Sequence, residues 1–340
     1  MIKTLILIAC VILISLLTYR KTTILPPPSK NIKHKDDNVS TFLSFDFTNC
    51  LRGIAILIIM IGHISGTMNT VLFSPLGGTG VALFLFISGF GLNESFKKNG
   101  LKNYWKKKVT RVLLPYFVVI TILWIVKYDF IWWKYLLDIC GLKTHYWFIA
   151  YLVKWYIAFW VFSRFFDKYK TWFMAAMAIA FLFVLPNIEA EQSFSFLAGY
   201  LASCNIKYLK TIPKKTFVAV AVCTFLFATA FLAIKQLPAI RMHEADYIYN
   251  LVQVCIKLPY AITITALLTL FPKPIHSKFL ILTGAISYEL YLVHMPFYSY
   301  VNGSILYAVI LLASSYAVAY LFNIANNKVS GIINKHLFTA

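Results

Sequence analysis

The chain has 340 residues, of which 60% are hydrophobic and only 13% charged, with a formal net charge of +20. A soluble domain carries roughly a quarter charged residues, so a water-covered globule is excluded and lipid is the solvent that fits. The positive charge invites a nucleic-acid reading, but it gathers in alternate connections between apolar runs, which is the pattern of membrane topology.

A bilayer core of about 30 Å needs roughly 20 apolar residues per helix. Eleven apolar spans are predicted, near 4–19, 51–68, 79–95, 109–126, 146–162, 172–186, 194–205, 216–234, 250–271, 279–300 and 304–325, of which 194–205 is short. The first is followed by Arg20, Lys21, Lys30, Lys33 and Lys35, and no small-residue cleavage site follows it. Residues 1–19 therefore read as an uncleaved transmembrane anchor rather than a signal peptide. Residues 20–49, with Pro26-Pro27-Pro28 among polar neighbours, read as a cytoplasmic linker.

Lys and Arg concentrate in cytoplasmic loops. Most of the 32 basic residues lie in the linker, in the loop carrying Lys97 to Arg111, around Arg164 to Lys170, around Lys207 to Lys215, at Lys273 and Lys278, and in the segment 327–340. These are alternate connections. The expected topology is therefore multi-pass in the cell (inner) membrane, with the N-terminus outside and a cytoplasmic tail at 327–340. The six cysteines are scattered, mostly inside apolar runs, with neither metal-ligand nor disulfide spacing. No metal site is expected.

Ionisable groups at mid-membrane depth cost several kcal/mol unless partnered, and so mark function. The second span opens with Arg52 and carries His63 eleven residues on, which is three turns or about 16 Å along one helix face. Arg52 also suits a plain positive-inside anchor. A mid-span histidine does not. The third span reaches Ser88-Gly89 after about ten residues, again at the bilayer middle like His63, where small residues admit either a second helix or a substrate. Lys108 and Arg111 fall at the same surface as Arg52, where they suit the phosphates of a polyanionic cofactor or anionic lipid.

Further along, Trp147 opens the fifth span as an interfacial anchor or a substrate contact, with Lys154 two turns deeper. The tenth span reads Ser287-Tyr288-Glu289-Leu290-Tyr291-Leu292-Val293-His294. Glu289 matches the depth of His63, and an imidazole is its nearest chemically sensible partner. Tyr288, Tyr291 and His294 supply further polar groups on the same helix.

Five segments together resemble the acyltransferase family 3 of membrane O-acyltransferases. They are Leu51-Arg52-Gly53-Ile54-Ala55 with His63; Gly80 through Ser88-Gly89-Phe90; Lys108 through Arg111 to Pro115-Tyr116; Tyr146-Trp147-Phe148; and Ile286 through Glu289 and His294 to Met295-Pro296. The resemblance implies an all-α, polytopic transmembrane helix bundle with a ten-span core at 50–326, to which the first span is an addition. It implies transfer of an acyl group, acetyl above all, from cytoplasmic acetyl-CoA or another acyl-CoA to a hydroxyl of a cell-surface or lipid-linked glycan. Carried over, His63 becomes the catalytic histidine, with Glu289 orienting it. Arg52, Lys108 and Arg111 bind the donor, while Ser88, Tyr288, Tyr291, His294 and Trp147 are substrate or oxyanion candidates. Two positions depart from the family's pattern: Asn49 stands where an acidic residue is usual, and Lys108 where arginine is common. The rival reading is a transporter of lipid-linked glycan without acyl transfer, which has no need of Arg52 and His63 together. The expected partners are the acyl-CoA, the glycan acceptor and membrane lipids, without nucleic acid.

Overall fold

Apolar runs of this length satisfy their backbone polar groups internally by becoming helices, since a bilayer offers no water to do it. The computed structural model describes residues 42–336, except 69, 71, 72, 128, 129 and 245, and contains no strand among the described residues. The expected anchor at 1–19 and most of the linker at 20–49 lie outside the described residues. In chain order the main elements are α1 (Phe45–Thr67), α2 (Ser74–Asn99), α3 (Tyr104–Val126), α4 (Trp132–Ile139), α5 (Trp147–Phe165), α6 (Lys170–Val184), α7 (Ser195–Cys204), α8 (Lys214–Ile234), α9 (Tyr247–Leu270), α10 (Lys278–Ala285), α11 (Ser287–His294) and α12 (Ile305–His336).

Seven of these, α1, α2, α3, α5, α8, α9 and α12, are long and apolar enough to cross a membrane. The predicted spans at 172–186, 194–205 and 279–300 are helical but shorter. α6 has 15 residues and α7 has 10, while the third is split into α10 and α11 of 8 residues each. α7 is short because the chain before it enters as a turn and one short helix, Asn187–Ala190, with Gln192 Nε2 donating to the Gly78 carbonyl at 3.0 Å. The segment predicted as a tail from 327 continues α12 as helix to His336.

The bundle is apolar both at its centre and on its outer face. α1 and α2 form its centre, and their contact faces bury Leu51, Ala55, Ile59, Leu83 and Leu85. α8 and α12 lie outside and expose Val218, Val222, Phe225, Leu226, Leu306, Val309 and Leu321, as lipid-facing helices do. α1 packs against α2, α10 and α11; α2 also packs against α7 and α9, and α8 covers α9. The α2–α7 contact is backbone on backbone. A Cβ on Gly199 would lie 1.8 Å from the Phe86 carbonyl oxygen, and one on Gly89 would lie 2.1 Å from that of Phe196. Small residues let helices in lipid approach this closely, so Gly89 is taken up by packing rather than left open to a ligand.

α3 carries a π-helical turn at Val109–Leu113. Such a turn frees carbonyls from the helical ladder, and they need outside donors. The Tyr288 hydroxyl donates to Val112 at 2.6 Å, and Ser330 Oγ donates to Thr110 at 3.4 Å. The turn is thus fastened to α11 and α12.

Candidate active site

His63 lies near the end of α1, where Gly62 meets the backbone of Gly77; a Cβ on Gly62 would stand 2.7 Å from the Gly77 amide nitrogen. That approach brings the start of α2 alongside the histidine. The ring of His63 stacks on Tyr298 at 4.7 Å between centroids and lies 5.6 Å from the ring of His294 on α11. His294 is 1% exposed, and its Nδ1 lies 2.6 Å from the Leu290 carbonyl. A carbonyl can only accept, so Nδ1 carries the proton and donates it there. The other nitrogen, Nε2, is left as a buried acceptor with no hydrogen-bond partner.

His63 borders a cavity of about 340 Å³, within the range of roughly 300–1,000 Å³ typical of small-molecule sites. Its wall includes Trp147, Tyr291, Gln192, Gln253, Glu191 and Lys257. Lys257 and Glu191 form a buried ion pair. Tyr291 is held by aromatic neighbours: its ring meets Tyr146 at 5.9 Å and Phe148 at 5.5 Å in edge-on contacts. Tyr146 in turn donates its hydroxyl to the Leu292 carbonyl at 2.6 Å, tying the start of α5 to α11.

A second cluster forms three turns away along α1. Arg52 and Ser88 both lie near Tyr156 of α5. Lys108 Nζ rests 4.1 Å from the centroid of the Tyr156 ring and 5.5 Å from that of Tyr104, a cation–π arrangement that holds the ammonium in place. Arg111, exposed in the π-helical turn, adds its charge beside Lys108. The structure therefore brings Arg52, Lys108 and Arg111 to one end of the bundle, with Tyr156 as the hub.

Three expectations are corrected by the geometry. Ser88 does not share the level of His63; it sits with Arg52, about 16 Å away by helical rise. Glu289 is not paired with His63 either. Its carboxylate is buried against α12 and accepts from Asn323 Nδ2 at 3.1 Å and Asn326 Nδ2 at 3.4 Å. The physical reason is helical phase: the face of α11 that carries His294 meets α1, whereas Glu289 is turned toward α12. Tyr288 likewise serves the π-helical turn and does not border the cavity. Lys154, two turns deeper than Trp147, is engaged by Glu189 at 2.5 Å.

Sequence reasoning passed over Tyr156, Tyr298 and the polar wall of the cavity. A signal existed for Lys257, an ionisable residue inside an apolar run, which is the same rule that singles out His63. Tyr156 had none, since a tyrosine in an aromatic-rich span is unremarkable. The Asn49 departure also gains a local reason: its amide Nδ2 donates to the Ile281 carbonyl at 3.0 Å, fastening α1 to α10, and an ionised carboxylate has no proton to give there. Among the described residues, no group of three metal-ligating side chains is present.

No curated protein and no solved structure matches the chain. The family model described as an acyltransferase domain, acyltransferase family 3, matches residues 45–324, which hold both clusters and every helix from α1 through most of α12. The chain belongs to acyltransferase family 3 and is a membrane acyltransferase.

Proposed function

We propose that the protein moves an acyl group, acetyl above all, from a cytoplasmic acyl-CoA to a hydroxyl of a cell-surface or lipid-linked glycan. The observation that carries this reading is His63, an imidazole bordering a cavity, with the partnerless Nε2 of His294 behind it. The basic end faces the cytoplasm, and Arg52, Lys108 and Arg111 take the donor phosphates through charge-assisted hydrogen bonds. The thioester arm then runs about 16 Å along α1 to reach the imidazole.

In the reaction a carbon–oxygen bond forms to the sugar hydroxyl and the carbon–sulfur bond of the thioester breaks. His63 removes the hydroxyl proton as general base, or attacks first as a nucleophile, and returns a proton to the departing thiolate. Tyr291 is the hydroxyl on the cavity wall suited to steady the oxyanion, a role for which Ser88 lies too far away. Glu289 acts at one remove, by holding α11 against α12.

The test compares ester groups on surface glycans from cells carrying the native chain or His63→Ala, with membrane insertion verified in both. Loss of the ester with normal insertion is expected, and an unchanged ester content in the variant ends the proposal.

A further inference from the structure

The charges on the cavity wall do not cancel. Glu191 is the carboxylate that borders it, and Lys257 already engages it in the buried ion pair. Glu189, next to the wall residue Ile188, is likewise engaged by Lys154 at 2.5 Å. Lys235, at the end of α8, also borders the cavity, and its recorded contact is the face of the Tyr249 ring at 5.5 Å. Lys235 and Lys257 border the same cavity. Its wall thus carries two ammonium groups and one carboxylate, leaving one unit of positive charge in a half-buried site where screening by water is reduced.

The rest of the wall suits a sugar. Trp147 offers an indole face, Gln192 and Gln253 offer side-chain amides, and His63 stands at one border. We infer that this cavity is the acceptor site and that it selects an acidic sugar, one bearing a carboxylate or a phosphate, through Lys235. Resting on the proposed glycan acylation, the inference adds the class of acceptor. The sugar ring lies against Trp147, its negative group between Lys235 and Lys257, and its reactive hydroxyl toward His63. The excess charge also gives the two ends of the bundle separate anions: donor phosphates at the Arg52 end, acceptor acid at the Lys235 end.

The experiment measures equilibrium binding of three labelled oligosaccharides to the full chain in lipid nanodiscs: maltotetraose as the neutral probe, tetragalacturonate as the carboxylate and a monophosphorylated maltotetraose as the phosphate. At least one acidic probe should bind about tenfold tighter than maltotetraose, the size of one charge-assisted contact. Lys235→Gln should collapse that preference, Lys235→Arg should keep it, and added salt should weaken it. The better acidic probe tells carboxylate from phosphate. Equal affinity for all three probes, binding of none, or a preference that survives Lys235→Gln overturns the inference. Measuring acyl transfer by the native chain alongside the titration separates the two readings. Selective binding without acyl transfer by the native chain sinks only the acylation, whereas transfer with charge-indifferent binding sinks only the acceptor class.

Discussion

The two ends of α1 are built from the same materials to opposite purposes. At the Arg52 end, charge is held against aromatic faces, with Lys108 over the rings of Tyr156 and Tyr104. At the His63 end, polar groups surround open space: the imidazole, Trp147, Tyr291 and the Lys257–Glu191 pair border about 340 Å³. In lipid, a charge is retained only where it is partnered or where a cavity admits water or substrate. The first end positions charge by clamping it, and the second leaves room for chemistry.

Substitutions can break that contrast, and their expected effects fall in order. His63→Ala strikes the cavity end directly. Removing a general base costs about 10²–10⁴ in rate, read as acyl transferred from labelled acyl-CoA by purified protein. Lys257→Met leaves Glu191 buried without its partner and should cost about 3–5 kcal/mol of stability, whereas pairing it with Glu191→Leu should recover most of that loss. Thermal unfolding in detergent reads both variants. At the clamped end, Arg52→Ala removes one charged contact of about 1.5–3 kcal/mol, which should raise the KM for acyl-CoA roughly ten- to a hundredfold while leaving acceptor affinity alone. The smallest effect belongs to Tyr288→Phe. Losing its bond to Val112 costs about 1 kcal/mol and loosens the π-helical turn beside Lys108, so the donor KM should rise a few-fold at most.

Much of this arrangement is legible in the sequence, and the parts that are not share a cause. Apolar run length predicts α1, α2, α3, α5, α8, α9 and α12, because lipid dictates that length. It also marks α6 and α7, at 15 and 10 residues, but misses the break between α10 and α11, since composition does not report where an apolar run is interrupted. Helical rise along α1 sets Arg52 and His63 three turns apart, and both occur in the clusters described. Rise along separate helices says nothing about their stagger, so Ser88 was assigned the depth of His63 although α2 carries it down beside Arg52. Phase around the helix failed in the same way for Glu289, whose partners Asn323 and Asn326 lie at the end of the stretch read as the ten-span core.

The short helix α11 touches both ends of the molecule. Near its start Tyr288 fastens the π-helical turn that carries Arg111, and at its last residue His294 lies against His63. Eight helical residues span roughly 12 Å, so α11 is a short strut between the two clusters, held along its length by Tyr146 and by Asn323 and Asn326. The separation of the basic turn from the imidazole pair is thereby fixed by one helix rather than by loops.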